Sequence, residues 1–253
     1  MEQQQILSCA LDIGEQMLIC GAEVGRVELA VRMICTAYGC SRADIFIITS
    51  SMILTVESPD GSHATQTRRL NGTVTDLNKL HKLNTLSRRI CAETPCYADV
   101  QAQLKQICSE KPYPLWLQVL FSGMIAFAFT VFFGGNWLDG GVAGALGIGL
   151  RLLTHLLQKA SANQIIVNVV ASFVMSVGAI LLVRWGVGQD VNKILIGNIM
   201  LLIPGIALTN SLRDMISGDI MTGILRFLDA VLVAAAIAAG YILAAQLLGG
   251  IQL

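Results

Sequence analysis

Nineteen consecutive residues, Leu115 to Phe133, carry no charge. At 1.5 Å per residue such a run reaches across the roughly 30 Å hydrocarbon core of a bilayer. Four more apolar stretches follow, at about 140–158, 164–183, 194–212 and 227–248. Charge is distributed to match. Residues 1–112 hold 11 Lys+Arg and 12 Asp+Glu, whereas residues 113–253 hold 6 and 5. Only 13% of the chain is charged, against about 25% in soluble domains. The expected organisation is a domain over 1–112 followed by an all-α membrane domain over 113–253 with five transmembrane helices. Disorder, a collagen or coiled-coil rod and a basic nucleic-acid binder are excluded. The expected surroundings are a lipid bilayer, and the zero net charge names no other partner.

The first 112 residues read as a small α+β domain. Ile6, Leu7, Ala10, Ile13, Met17 and Leu18 fall on one helical face, which Gly21 ends. A second helix is expected from Glu23 to Tyr38, stopped by Gly39. The period then changes. Ile45–Ile48 reads as a buried strand, and Met52–Glu57 as a second. Ser58-Pro59-Asp60-Gly61 is a turn, and His63–Arg69 returns as a third strand. Helical spacing resumes through Leu77, Leu80, Leu83, Leu86 and Ile90, and a last helix covers Tyr97–Cys108. The order is ααβββαα. Lys111-Pro112-Tyr113-Pro114 then interrupts any helix, with Tyr113 and Trp116 suited to a membrane interface.

Side and compartment follow from two patterns. All seven cysteines lie in the first domain, in odd number and without paired C-x-x-C motifs. They read as reduced thiols of a cytosolic domain, without a disulfide framework or zinc site. The polar MEQQQ start does not resemble a signal peptide. Arg151, Lys159, Arg213 and Arg226 then fall in inner loops and Arg184 and Lys193 in outer ones, which agrees with the positive-inside bias. The expected location is a bacterial cytoplasmic membrane, with the N-terminal domain cytosolic and the C-terminus outside. The glycines of the second span (Gly140, Gly141, Gly144, Gly147, Gly149) permit close helix packing and leave room for a homo-oligomer.

No nucleotide, metalloprotease or hydrolase signature occurs, and His63, His81 and His155 are too scattered for a metal site. No cofactor and no metal are expected. The most informative segment is Leu202–Asp219. Pro204-Gly205 breaks the fourth span, and backbone groups freed in hydrocarbon must be satisfied by protein, water or ligand. Asn198 and Asn210 flank the break; Arg213, Asp214 and Asp219 follow. One reading is a substrate site. The other is a kinked helix whose Arg and Asp side chains pair with one another. Arg226 and Asp229 stand at i and i+3, so they can pair or face the same cavity. Arg151 can snorkel to the interface or grip a carboxylate. Asn168 suits an interhelical hydrogen bond. In the first domain, Gly21, Ala22, Glu23, Arg26 and Glu28 form a compact motif, for which a helix-capping network is a full explanation and is favoured over a ligand site.

GAEVGRVE after an amphipathic helix, and LLIPGIALTNSLRDMISGD before a final apolar span, resemble the threonine/serine exporter (ThrE) family. The likeness runs over nearly the whole chain. It implies the split form, a YjjP-like larger half working with a separate small YjjB-like membrane subunit. It also implies a transporter, not an enzyme, exporting threonine, serine or a dicarboxylate such as succinate. On this reading Arg213, with Arg151 or Arg226, meets the carboxylate of a small substrate. Asn198, Asn210 and the Pro204-Gly205 break supply neutral hydrogen bonds, and Asp214, Asp219 or Asp229 meets an ammonium group or relays protons. The alternatives are a membrane-anchored regulatory or assembly module and a hydrolase in the first domain, for which Glu23 and Glu28 are the available acids.

Overall fold

The structure is a computed structural model that describes residues 2–70, 72–160 and 163–248. The last five residues of the expected membrane domain therefore lie outside the described residues. The chain divides into two compact units: 1–111 with 205–228, and 112–204 with the residues from Asp229 onward.

The first unit opens with α1 (Gln3–Ile19) and α2 (Val24–Ala37). They approach closely at Gly14, where a Cβ would stand 2.9 Å from side-chain atoms of both Val31 and Met52. Three antiparallel strands follow in the order β1 (Arg42–Ile48), β2 (Ser51–Glu57) and β3 (His63–Arg69). In β2 the period of two is clean: Met52, Leu54 and Val56 are buried against the helices. The expected fully buried strand at Ile45–Ile48 is corrected. β1 lies at the sheet edge and starts earlier; Ile47 is buried, whereas Phe46 is 60% exposed opposite Ile53. An uninterrupted apolar run does not reveal which residues alternate outward. α3 (Leu77–Glu93) and α4 (Tyr97–Ser109) close the core with Leu83, Leu86, Ile90, Val100 and Leu104. The cysteines are free thiols; burial pushes Cys9 and Cys35 up to about 12.

The second unit holds α5 (Leu115–Phe132), α6 (Trp137–Lys159) and α7 (Gln164–Arg184). Of the five α6 glycines, Gly140, Gly144 and Gly147 sit on α5, whereas Gly141 and Gly149 face open space. A Cβ on Gly147 would meet the Ser122 carbonyl at 2.9 Å, and one on Gly144 the Gly123 carbonyl at 3.3 Å. Exposed aromatics gather at helix ends: Tyr113 and Trp116 where α5 starts, Phe132, Trp137 and Trp185 at the other ends. This is how aromatic rings distribute at membrane interfaces.

The expected fourth span, 194–212, is not one helix. It is divided into α8 (Val191–Ile199) and α9 (Gly205–Ile216), separated by residues 200–204. Nine residues of α8 rise only about 14 Å, too short to cross hydrocarbon. Among the described residues four helices are long and apolar enough to cross a membrane, not five: α5, α6, α7 and α10 (Ile220–Leu247). Pro204 is the cause of the break, since it lacks the N–H a continuing helix needs.

Candidate functional site

The residues expected to share one site are distributed over two places. The first lies in the unit that contains α1 to α4. There the two sequence motifs meet. The Val24 N–H, in the first turn of α2, donates to Asp214 Oδ1 at 3.1 Å. Glu23 stands at the N-cap position without a side-chain cap bond, so Asp214 supplies from α9 the anion that this helix end lacks. Arg226 Nη1 donates to Asp214 Oδ2 at 2.8 Å and to the Ala22 carbonyl at 3.2 Å. Asn210 Nδ2 donates to the Gly21 carbonyl at 3.0 Å, and Arg213 pairs with Glu23. Gly21 has φ +91°, a conformation that presents this carbonyl without a Cβ penalty.

Asp214 is 1% exposed. Burial pushes its carboxyl upward, Arg226 pulls it back, and the Val24 N–H assists Arg226. Glu28 is also raised, by burial and then by Asp219, with Arg32 opposing. Thr222 adds a bond from its Oγ1 to the Ile47 carbonyl at 3.0 Å. The expected Arg226–Asp229 pair is absent among the described residues. Arg226 turns to Asp214 instead, and Asp229 is exposed. Arg26 is exposed as well. This cluster is closed on itself: Arg213, Arg226, Asn210 and Asp214 are engaged by protein groups.

The second place lies within α5 to α7. A cavity of about 570 Å³ is lined there by Gln118 and Ser122 of α5, by Arg151, Thr154 and Gln158 of α6, and by Gln164 and Asn168 of α7. Leu201 and Leu202, from the irregular segment before Pro204, complete its wall. The broken backbone thus borders a cavity, but Asn198, Asn210 and Gly205 do not line it. Arg151 donates to Gln118 Oε1, and Gln164 Nε2 donates to Asn168 Oδ1 at 3.2 Å. Among the described residues Arg151 is the one charged member of the lining, and no carboxylate faces it there. The first turn of α7 also lies at this wall through Gln164; Asn163 Oδ1 already accepts the Ile165 N–H at 2.8 Å, and the positive end of the helix dipole favours an anion. Arg151 and an amide-rich wall can hold a carboxylate by charge-assisted and neutral hydrogen bonds.

Sequence reasoning named Arg151 but passed over Gln118, Ser122, Thr154, Gln158 and Gln164. A signal exists. Gln118/Ser122, Arg151/Thr154/Gln158 and Gln164/Asn168 are spaced i, i+3, i+4 or i+7, one face on each helix. Asp139 was also missed. It is 1% exposed and accepts the Gln189 N–H at 2.7 Å, tying the start of α6 to the loop before α8. Asn198 is fully buried; its Nδ2 donates to the Ile194 carbonyl at 3.0 Å while its Oδ1 has no protein partner among the described residues.

Comparison with known proteins gives a consistent picture. Residues 8–248 match the ThrE family model, described as "Putative threonine/serine exporter". The chain is 27% identical to the "Probable succinate transporter subunit YjjP" of Klebsiella aerogenes, covering 98% of this chain and 96% of that one. It is 24% identical to the "Probable threonine/serine exporter" of Mycobacterium tuberculosis over 96% of this chain and 46% of that protein. It is 25% identical to the "Threonine/serine exporter" of Corynebacterium glutamicum over 96% and 51%. The chain therefore spans nearly all of the first relative and about half the length of the other two. These relatives are named as exporters and a transporter subunit, not as enzymes. No solved structure matches.

Proposed function

The chain belongs to the ThrE family, and from that premise we propose that it is one subunit of a secondary exporter in a bacterial cytoplasmic membrane. Its cargo is a small carboxylate-bearing solute of the kind its relatives are named for, threonine, serine or succinate. A separate small membrane subunit supplies what the longer relatives carry in the same chain. The N-terminal unit faces the cytosol and the C-terminal end the outside.

The observation that carries this reading is Arg151, the lone charge in a cavity whose other polar groups are amides and hydroxyls. Arg213 and Arg226 each already pair with a carboxylate, which favours Arg151 over them as the group that meets the substrate. In a low-dielectric setting an uncompensated guanidinium attracts a carboxylate strongly. Gln118 holds the guanidinium in place, and the segment at Leu201–Leu202 gives the wall a part that can rearrange without unwinding a helix.

The test is efflux of preloaded succinate, threonine and serine from proteoliposomes containing this chain and its small partner. Arg151→Gln removes a charge-assisted bond worth about 1.5–3 kcal/mol, so apparent affinity should fall about 10- to 100-fold. Arg151→Lys keeps the charge but loses the fork, and should fall between the two. Unchanged efflux by a folded Arg151→Gln protein would discard the cavity as the substrate site.

A further inference from the structure

Helix α9 and the start of α10 are built inside out. In α9 the buried residues are polar, Ser211 and Asp214, with Asn210 half-buried beside them. In the first turns of α10, Thr222 is buried and the Arg226 side chain is mostly so. The apolar residues point the other way. Ile216 is 87% exposed and Met221 71%, and Ile206, Leu212, Ile220 and Ile224 are exposed with them. A water-facing helix pair would show the reverse pattern. The hairpin uses its polar face to dock on α2 and β1, through Val24, Ala22, Gly21 and Ile47. Six large aliphatic side chains remain without protein cover, an exposed apolar patch of the kind that marks an interaction surface.

We propose that this apolar face is immersed in the bilayer interface, so that the α9–α10 hairpin is a membrane-surface element of the first unit. Two observations select lipid over a protein partner. The face is continuous with the rest of α10, whose 28 residues are long and apolar enough to cross a membrane. Those residues rise about 42 Å, some 12 Å more than hydrocarbon requires, which leaves the first two turns to run through the interface. The face is also largely aliphatic: Asp214, Asp219 and Arg226 are turned toward the motif residues Ala22 to Glu28, and Arg213, exposed on α9 together with Thr209, reaches Glu23. An interfacial helix with its apolar side sunk 5–10 Å has this division. The motif of residues 21–28 then sits at the membrane surface, and the buried Arg226–Asp214 pair lies where water is scarce.

The experiment uses the full chain in nanodiscs, in a background where the less buried thiols Cys91, Cys96 and Cys108 are replaced by serine. Nitroxide labels are placed at Ile216→Cys and Met221→Cys, with Ser217→Cys as the aqueous reference and Leu232→Cys as the lipid reference. Labels at 216 and 221 should collide with dissolved oxygen as strongly as the label at 232, and with a water-soluble nickel chelate several-fold less than the label at 217. Free access of the nickel chelate would overturn the proposal. Protection from both reagents would also overturn it, since the cover would then be protein. Neither readout depends on efflux, so failure here is separate from failure of the exporter reading. Monodisperse elution of each labelled variant is the folding control.

Discussion

At the scale of single residues, the charges of the sequence motifs do not line the cavity that holds Arg151. Of the residues most conspicuous in the sequence, Asp214 and Arg226 hold each other and the backbone of Ala22 and Val24, and Arg213 holds the Glu23 carboxylate. Their charge, and the chance that Arg and Asp pair with one another, could be read from the sequence; their partners at Ala22, Glu23 and Val24, some 190–200 residues away, could not. Removing one member of a buried pair leaves the other charge uncompensated. Asp214→Ala is therefore expected to cost about 3–5 kcal/mol, visible as a large fall in Tm in detergent. Asp214→Asn should cost less, because its amide oxygen still accepts the Val24 N–H. Glu28 gives an independent test of opposite sign. Burial and Asp219 raise its pKa. A carboxyl raised on folding binds protons more tightly in the folded state. Its contribution is complete below the unfolded pKa and is lost as pH rises through the folded one. Glu28→Gln should thus raise Tm at about pH 7 and leave it unchanged at about pH 4. A uniform shift at both values would assign the effect to packing.

At the scale of elements, the apolar periods located most of the helices within a few residues, because burial and helical repeat act locally. Of the boundaries that were missed, one has a local cause that composition hides and the other a non-local one. α6 begins at Trp137 because Asn136 Oδ1 accepts the Asp139 N–H at 2.7 Å, a cap hidden in what reads as a polar turn. α10 begins seven residues before the expected Phe227, since its first turns are held by the first unit. The glycines were legible as packing surfaces, but which of them matter was not. Gly197 of α8 abuts α5, where a Cβ would stand 2.7 Å from the Ala126 carbonyl and clash with Thr130; Gly149 of α6 has nothing within 4 Å. Gly197→Ala should push α8 off α5 and cost about 1–3 kcal/mol. Gly149→Ala should stabilise by up to about 1 kcal/mol through helix propensity. Equal Tm shifts of the same sign for the two variants would show that α8 is not packed as described.

At the scale of the molecule, the sequence places a domain boundary in the Lys111–Pro114 segment, between 1–112 and 113–253. That invites deletion of the first domain up to the Lys111 edge of the segment as a test of gating. The compact units do not follow that cut. Residues 205–228 belong with 1–111, and their buried polar groups are satisfied by partners that the deletion removes. Asp214 loses the Val24 N–H, Arg226 loses the Ala22 carbonyl, Asn210 loses the Gly21 carbonyl and Thr222 loses the Ile47 carbonyl. Each orphaned group costs about 1–3 kcal/mol, more for a charged one. The 112–253 fragment is thus expected to accumulate in membranes far below the full chain, by quantitative immunoblot. Replacing its stranded ion pair with apolar residues, Asp214→Leu with Arg226→Met, removes the buried charges and should recover part of that loss. A 112–253 fragment that accumulates like the full chain would show that residues 205–228 fold without the N-terminal segment. Deletion would then be a clean probe of gating. If instead the fragment is rescued only by the double substitution, loss of efflux on deletion reports a broken fold, and a role in regulation must be tested by point variants at Glu23 and Arg213.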